Sequence, residues 1–558
     1  MADPIVSFRI NPPVIRLVIH GFLISTILLL AGCGNSPINS STSDTSGTPH
    51  PSTINLQPST PSFRLHWLGK KRLSAESNAT NFISIWNMPE SLRLESQTLD
   101  KLSTAPWRLL TTISTLSNAP SALLRPLLND LIQEESYVEV SASTNVPAEI
   151  VLAIKLPADR VALWQTNLPL ILNSLQPSTF NVQPLVTNIG NWTILSISDI
   201  RLQTPDVRLL SQVRHRLSTT GLPFAPETTN FWISGRVDFS WLSKAFSWNL
   251  KSITNLPVCE FSAIGDGTNV RSLATLTFPG KVPIELEPWN IPAHLVHDPL
   301  SGFMAIRGLR PLLKSFEIWN ETKFGTTPDQ ITLWAQEGNP ALHFFALPSQ
   351  QSSNQMRLFS QYLIEDVNPK MAVFPNTTNV PIGSFEEMPG SQRLRWRGIP
   401  YIMPNLNLVG ADTNAFIVGG LFQNSITNKP APESLLSQFK TDSNIILYDW
   451  ELTKSTAYSW IQMSQAARFV FGLNRLSITN NPALPWIVAV SPKLDFSGTT
   501  IRLTSPQSIS VTRSATIGLT GLEIHLLSEW LESPEFPKGF FSINSKSEQQ
   551  TSTRRAAP

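Results

Sequence analysis

The sequence predicts an α+β protein built as two similar halves, each a mainly antiparallel sheet with helices packed on one face. Three observations predict it. Between about Phe63 and Ser545, short strand-like apolar runs alternate with longer segments whose apolar residues recur at helical spacing. The order of these segments recurs after about 200 residues. The runs that close each half, Val270 to Phe278, then Thr499 to Leu503 and Ser508 to Thr512, interleave apolar residues with Ser and Thr, as in a sheet wet on one side.

At the amino end, Arg9 and Arg16 precede an apolar run, Leu17 to Leu30, of 14 residues. A helix needs about 20 residues to span a bilayer, so residues 1–32 read as a secretory signal rather than a permanent span. Residues 33–62 are rich in Ser, Thr and Pro and too poor in apolar side chains to offset the entropy of ordering, which predicts a flexible tether. The first repeat takes residues 63–280, a proline-rich linker 281–299 and the second repeat 300–545; a polar, basic tail expected to be disordered takes 546–558.

Within the repeats, Ile150-Val151-Leu152-Ala153-Ile154 leads to Leu156-Pro157 and a helical pattern through Trp164, Leu168, Ile171 and Leu175 that closes at Pro177. Leu342-His343-Phe344-Phe345-Ala346 leads likewise to Leu347-Pro348 and a pattern through Met356, Phe359, Leu363 and Val367 that closes at Pro369. Further on, Gly190 to Leu195 can be laid against Gly398 to Ile402, each a turn glycine entering a strand. Asn230 to Ile233, Val237-Asp238-Phe239 and Ala245 to Trp248 match Asn444 to Leu447, Trp450-Glu451-Leu452 and Ala457 to Trp460 in the same order. Upstream, Phe82 to Trp86 before Pro89 matches Phe303 to Arg307 before Pro311.

Leu30-Ala31-Gly32-Cys33 resembles the lipobox of bacterial lipoproteins. The resemblance implies that a diacylglyceryl group is attached to the Cys33 thiol, that the chain is cut before Cys33, and that the protein is held in the cell envelope through this lipid. Gly34 in place of Asp permits an outer-membrane destination under the sorting rule of enterobacterial lipoproteins; the periplasmic face of the inner membrane stays open. The body is also similar, by pattern alone, to uncharacterised duplicated envelope lipoproteins, a likeness that carries no activity.

The 558-residue chain has a formal charge of +2, and removing residues 1–32 takes away two arginines and one aspartate, leaving +1. Such a body has no field to attract nucleic acid. With Cys33 lipidated, Cys259 is the only other cysteine and reads as a small buried hydrophobe in a strand rather than a reactive thiol.

Catalytic signatures are sparse. Neither His-Glu-x-x-His nor Gly-x-Ser-x-Gly occurs, Ser240 to Lys244 has no companion motif, and Gly265-Asp266-Gly267 reads as a hairpin turn rather than a phosphate cradle. His294, His297 and Asp298 lie between Pro292 and Pro299, where a helix cannot align the two rings, so no metal or other cofactor is expected. Asp238 and Glu451 fall at matching places in the two repeats, as helix caps or as a carboxylate pair, and the caps are favoured. The 16 tryptophans, Trp164, Trp232 and Trp530 among them, are expected in the core, and Arg395-Trp396-Arg397 is a candidate interaction spot. A non-enzymatic binding or envelope-structural module follows; the alternatives are a carrier or sensor of an apolar ligand and an envelope hydrolase.

Overall fold

The computed structural model describes residues 61–110, 120–143, 146–175, 182–199, 208–224, 230–245, 255–314, 319, 327–338, 341–349, 352–369, 383–388, 393–398, 403–410, 415–422, 427, 429–470, 482–533 and 536–537. The signal segment, the lipobox with Cys33, nearly all of the expected tether and the expected tail lie outside them.

In chain order the strands are β1 (Phe63–Trp67), β2 (Ser136–Ser143), β3 (Val146–Ile154), β4 (Val182–Ile189), β5 (Trp192–Asp199), β6 (Ile233–Asp238), β7 (Val258–Gly265), β8 (Val270–Thr277) and β9 (Leu300–Ile306). They continue as β10 (Ile331–Gln336), β11 (Leu342–Ser349), β12 (Ser384–Glu387), β13 (Arg393–Arg397), β14 (Asn405–Val409), β15 (Ala415–Gly420), β16 (Ile445–Leu452), β17 (Phe496–Ser505) and β18 (Ser508–Ala515). The helices are α1 (Lys70–Leu73), α2 (Thr80–Trp86), α3 (Pro89–Leu110), α4 (Ser121–Gln133), α5 (Ala158–Leu175), α6 (Arg208–Thr220) and α7 (Phe239–Ala245). After them come α8 (Arg310–Leu313), α9 (Ser352–Tyr362), α10 (Glu433–Thr441), α11 (Thr453–Val470), α12 (Ala483–Val490) and α13 (Gly521–Glu532).

The described strands join in one large antiparallel sheet of 18 strands. At its middle β8 pairs with β18 along eight residues, Val270 opposite Ala515 through Thr277 opposite Ser508. From β8 outward the pairs run to β7, β6, β1, β2, β3, β5 and β4. From β18 outward they run to β17, β16, β9, β10, β11, β15, β14, β13 and β12. The α+β class and antiparallel pairing therefore agree with the sequence.

Helices do not keep to one face, as expected, but cover both. On β3, Val151 and Ala153 pack under Leu209, Leu210, Val213 and Leu217 of α6, whereas Leu152 and Ile154 pack under Trp164 and Ile171 of α5. On β11, Phe344 and Ala346 join Leu435, Leu436 and Phe439 of α10, while Phe345 and Leu347 join Met356 and Phe359 of α9. The reason lies in the strands: successive side chains point to opposite faces, so an unbroken apolar run must be covered twice. The middle of the sheet is wet on one side, as expected. There Cys259, Phe261, Ala274 and Val511 are buried, and the alternate Thr275, Ser510 and Thr512 are partly exposed.

A second departure is α2. Phe82 to Trp86, matched in sequence to the strand that became β9, is helical. Its Phe82 and Trp86, one helical turn apart, meet edge to face at 5.5 Å, and Phe82 also lies 5.4 Å from Trp232. Within the proline-rich linker Val282 and Val296 are buried, and Trp289, Ile291 and Leu295 pack with α10.

Candidate functional site

Strand register brings a polar cluster and an apolar row together on one face of β18, β17, β16, β9, β10 and β11. Directly opposed residues share a face. One row runs from Arg513 through Thr499, Asp449, Met304 and Leu333 to Phe345. The adjacent row runs from Ala515 through Ser497, Glu451, Gly302 and Ala335 to His343. Five strand spacings of about 4.8 Å carry each row from end to end.

The acid end sits beneath the start of α13. Glu451 Oε1 accepts the backbone N–H of Gly521 at 2.5 Å and the Ser497 hydroxyl at 3.2 Å. Thr520 closes α13 with a capping box: its hydroxyl accepts the Glu523 N–H at 3.2 Å, and the Glu523 carboxylate accepts the Thr520 N–H at 3.0 Å. Arg513 donates to Thr499 Oγ1 at 2.9 Å and pairs with Glu523 at 2.6 Å. Arg513 thus pairs with Glu523 and lends its charge to Asp449, with Glu451 the third carboxyl of the cluster.

Asp449 differs from the other two. None of its side-chain atoms takes part in a hydrogen bond or ion pair among the described residues, and its carboxyl lies deep enough for burial to push it well above the usual carboxylate range. The charge of Glu451 adds to that rise, and Arg513 opposes it. Burial raises Glu451 as well, against the Gly521 and Ser497 hydrogen bonds. Yet Asp449 keeps a partly exposed surface, as Met304 does beside it, and Leu333 is 40 % exposed. The row is therefore reached by solvent at Asp449, Met304 and Leu333. Along one side runs α11, held down by a hydrogen bond of 2.8 Å between His343 Nε2 and Ser459 Oγ. Ser459 is 2 % exposed, so this pair ties helix to strand rather than offering a nucleophile.

Asp238 and Glu451 do not meet. Strands β7, β8, β18 and β17 separate theirs, five strand spacings or about 24 Å, which removes the carboxylate pair. Asp238 caps α7, its Oδ1 accepting the Ser240 N–H at 2.8 Å, the Trp241 N–H at 3.3 Å and the Ser240 hydroxyl at 2.6 Å. Glu451 serves the N-terminus of the distant α13, accepting the Gly521 N–H.

The remaining candidates are structural. Cys259 is buried in β7, and burial with the Glu260 charge pushes its thiol up to about 11, which makes it inert. His294 is exposed, Asp298 pairs with Lys429 at 3.6 Å, and among the described residues no group of three or more His, Cys, Asp or Glu could hold a metal ion. Gly265 to Gly267 is the β7–β8 hairpin, where Asp266 accepts the N–H groups of Thr268 and Asn269. Trp396 is buried edge-on to Phe385 at 4.5 Å, and Arg397 pairs with Glu386 at 3.0 Å, so this cluster is no open platform. Trp164, Trp232 and Trp530 are 3 to 4 % exposed and fill the core, whereas Trp248 lies outside the described residues.

A second buried network was not anticipated. His66 Nε2 meets Glu135 Oε1 at 3.1 Å, and Glu135 Oε2 accepts Lys155 at 2.6 Å and Arg72 at 2.9 Å. Burial alone would raise Glu135, but the His66 and Lys155 hydrogen bonds and the charges of Lys155 and Arg72 hold it down at about 2. Phe224 closes over His66 at 3.9 Å between ring centres, so this network ties β1 to the start of β2. No family model, curated protein or solved structure matches the chain.

Proposed function

We propose that this chain is an exported protein tethered to the cell envelope through a lipid on Cys33, and that its body is a non-enzymatic binding module. The site that supports binding is the row in which Asp449 lies unpaired beside partly exposed Met304 and Leu333. Binding sites combine apolar walls with a few fixed polar groups, and this row has both.

We further propose that the body arose from two copies of one unit. The support is the order of pairing. Read from the β8–β18 centre, β7, β6, β1, β2, β3 and β5 on one side correspond in chain sequence to β17, β16, β9, β10, β11 and β15 on the other. The correspondence relates β1, not Phe82 to Trp86, to β9. In this reading β8 and β18 are equivalent strands meeting across a pseudo-twofold axis.

Native mass spectrometry of the body, freed from membranes by cleavage in the tether, tests the binding reading. A bound small molecule, absent from Leu333→Arg, is the expected result. An empty wild-type body that takes up no amphiphile from a panel would overturn it.

A further inference from the structure

We infer that the row Asp449–Met304–Leu333–Phe345 binds a single-chain amphiphile with a protonated amine head, the ammonium resting against Asp449 and the tail lying along the apolar side chains. This rests on the binding reading above and names the ligand class for that site. From Asp449 to Phe345 the row spans three strand spacings, about 14 Å, all on one face. Met304, Leu333 and Phe345 are each at least partly exposed there, which leaves apolar surface for a tail to cover. Beside them, Gly302 and Ala335 in the next row carry almost no side chain.

The charge of the head follows from what surrounds Asp449. Glu451 is satisfied by Gly521 and Ser497, and Glu523 by Arg513 and Thr520. Of the three, only Asp449 lacks a donor among the described residues, and Arg513 is already engaged by Thr499 and Glu523. An ammonium brings three donors to a group that has none among the described residues, and a charge beyond that of Arg513, which is paired with Glu523. A carboxylate head would add a fourth acid to the three present, and a hydroxyl would bring a donor without the charge.

Binding should also depend on pH. The groups facing Asp449 are Glu451 from its own strand, Arg513 from β18 and Glu523 from α13, with His343 at the far end of the next row. Because the amine binds the ionised carboxyl, affinity should rise as pH is raised until the amine itself loses its proton.

The test titrates the full chain with dodecylamine, dodecanol, dodecanoate and spermidine below their aggregation limits, followed by intrinsic tryptophan fluorescence and native mass spectrometry. Dodecylamine is expected to bind one to one, and Asp449→Asn to weaken it about tenfold or more, the size of one lost charge-assisted hydrogen bond. Asn keeps the shape of Asp, and Leu333→Arg, at a position already exposed, gives a second variant that should block the tail. Dodecanol or dodecanoate binding as tightly as the amine, or Asp449→Asn binding it unchanged, overturns the cationic head while the pocket stands. Spermidine matching dodecylamine overturns the tail. No binding by any of the four overturns both this inference and the binding reading.

Discussion

At the scale of single residues, two buried acids are set in opposite directions by their surroundings. Asp449 has no donor and is raised, whereas Glu135 has three partners and is lowered. For Asp449 the folded chain holds the proton more tightly than the unfolded one. Its contribution is therefore complete below about pH 4, the unfolded value, and is lost as pH rises through the folded value. Asp449→Asn should raise the melting temperature at pH 8 and leave it little changed at pH 4; a lower melting temperature at pH 8 would mean that an unseen cation satisfies the carboxylate. Glu135 has the reverse sign, its contribution being present above its ordinary 4.5 and lost as pH falls toward about 2. Glu135→Gln should cost about 2 to 4 kcal/mol in denaturant unfolding at pH 7, discounted from a fully buried pair because Arg72 and Lys155 reach water. A cost near zero would show that the network adds little.

These residues also mark how far the sequence could be read. The sequence reading missed Asp449, although it stands two residues before Glu451 in the otherwise apolar Ile445 to Leu452, on the same face as buried Leu447, an alternation that could have found it. The Arg513 and Glu523 neighbours of these acids were not legible, because register across three strands and a helix supplies them. The same holds for His66 and Glu135, separated by 69 residues.

At the scale of elements, α13 joins the acid cluster to the rest of the core. Thr520 and Glu523 at capping-box spacing were visible in the sequence, and Thr520→Ala should cost about 1 kcal/mol, measured by chemical unfolding. An unchanged midpoint would show that the box is dispensable. Gly521 is more constrained: a Cβ there would lie 2.6 Å from the Ala457 backbone nitrogen of α11, so the two helices cross where only glycine fits. Gly521→Val should destabilise the fold more than Thr520→Ala does, and equal effects would contradict the tight crossing.

Strands and helices with clean period were read correctly, including α5, α9 and β8, since each buries one continuous stripe. The failures were of context. Phe82 to Trp86 carries a run that suits either element, and its aromatic pair one turn apart decided for helix. The continuous apolar strands β3 and β11 carried the signal for helices on both faces, but alternation in the Ser- and Thr-rich strands pointed to one.

At the scale of the whole molecule, the sheet describes the body, while the proposed address depends on the segment before it. Among the described residues no helix is long and apolar enough to cross a membrane. The proposed attachment rests on Cys33, and the proposed role rests on where that attachment holds the body. Growth of the native host with radioactive palmitate, followed by isolation of this chain and of its Cys33→Ala variant, tests the claim most directly. The account expects label on the native chain, which would begin at Cys33, and none on the variant. An unlabelled native chain that still carries residues 1–32 would contradict it.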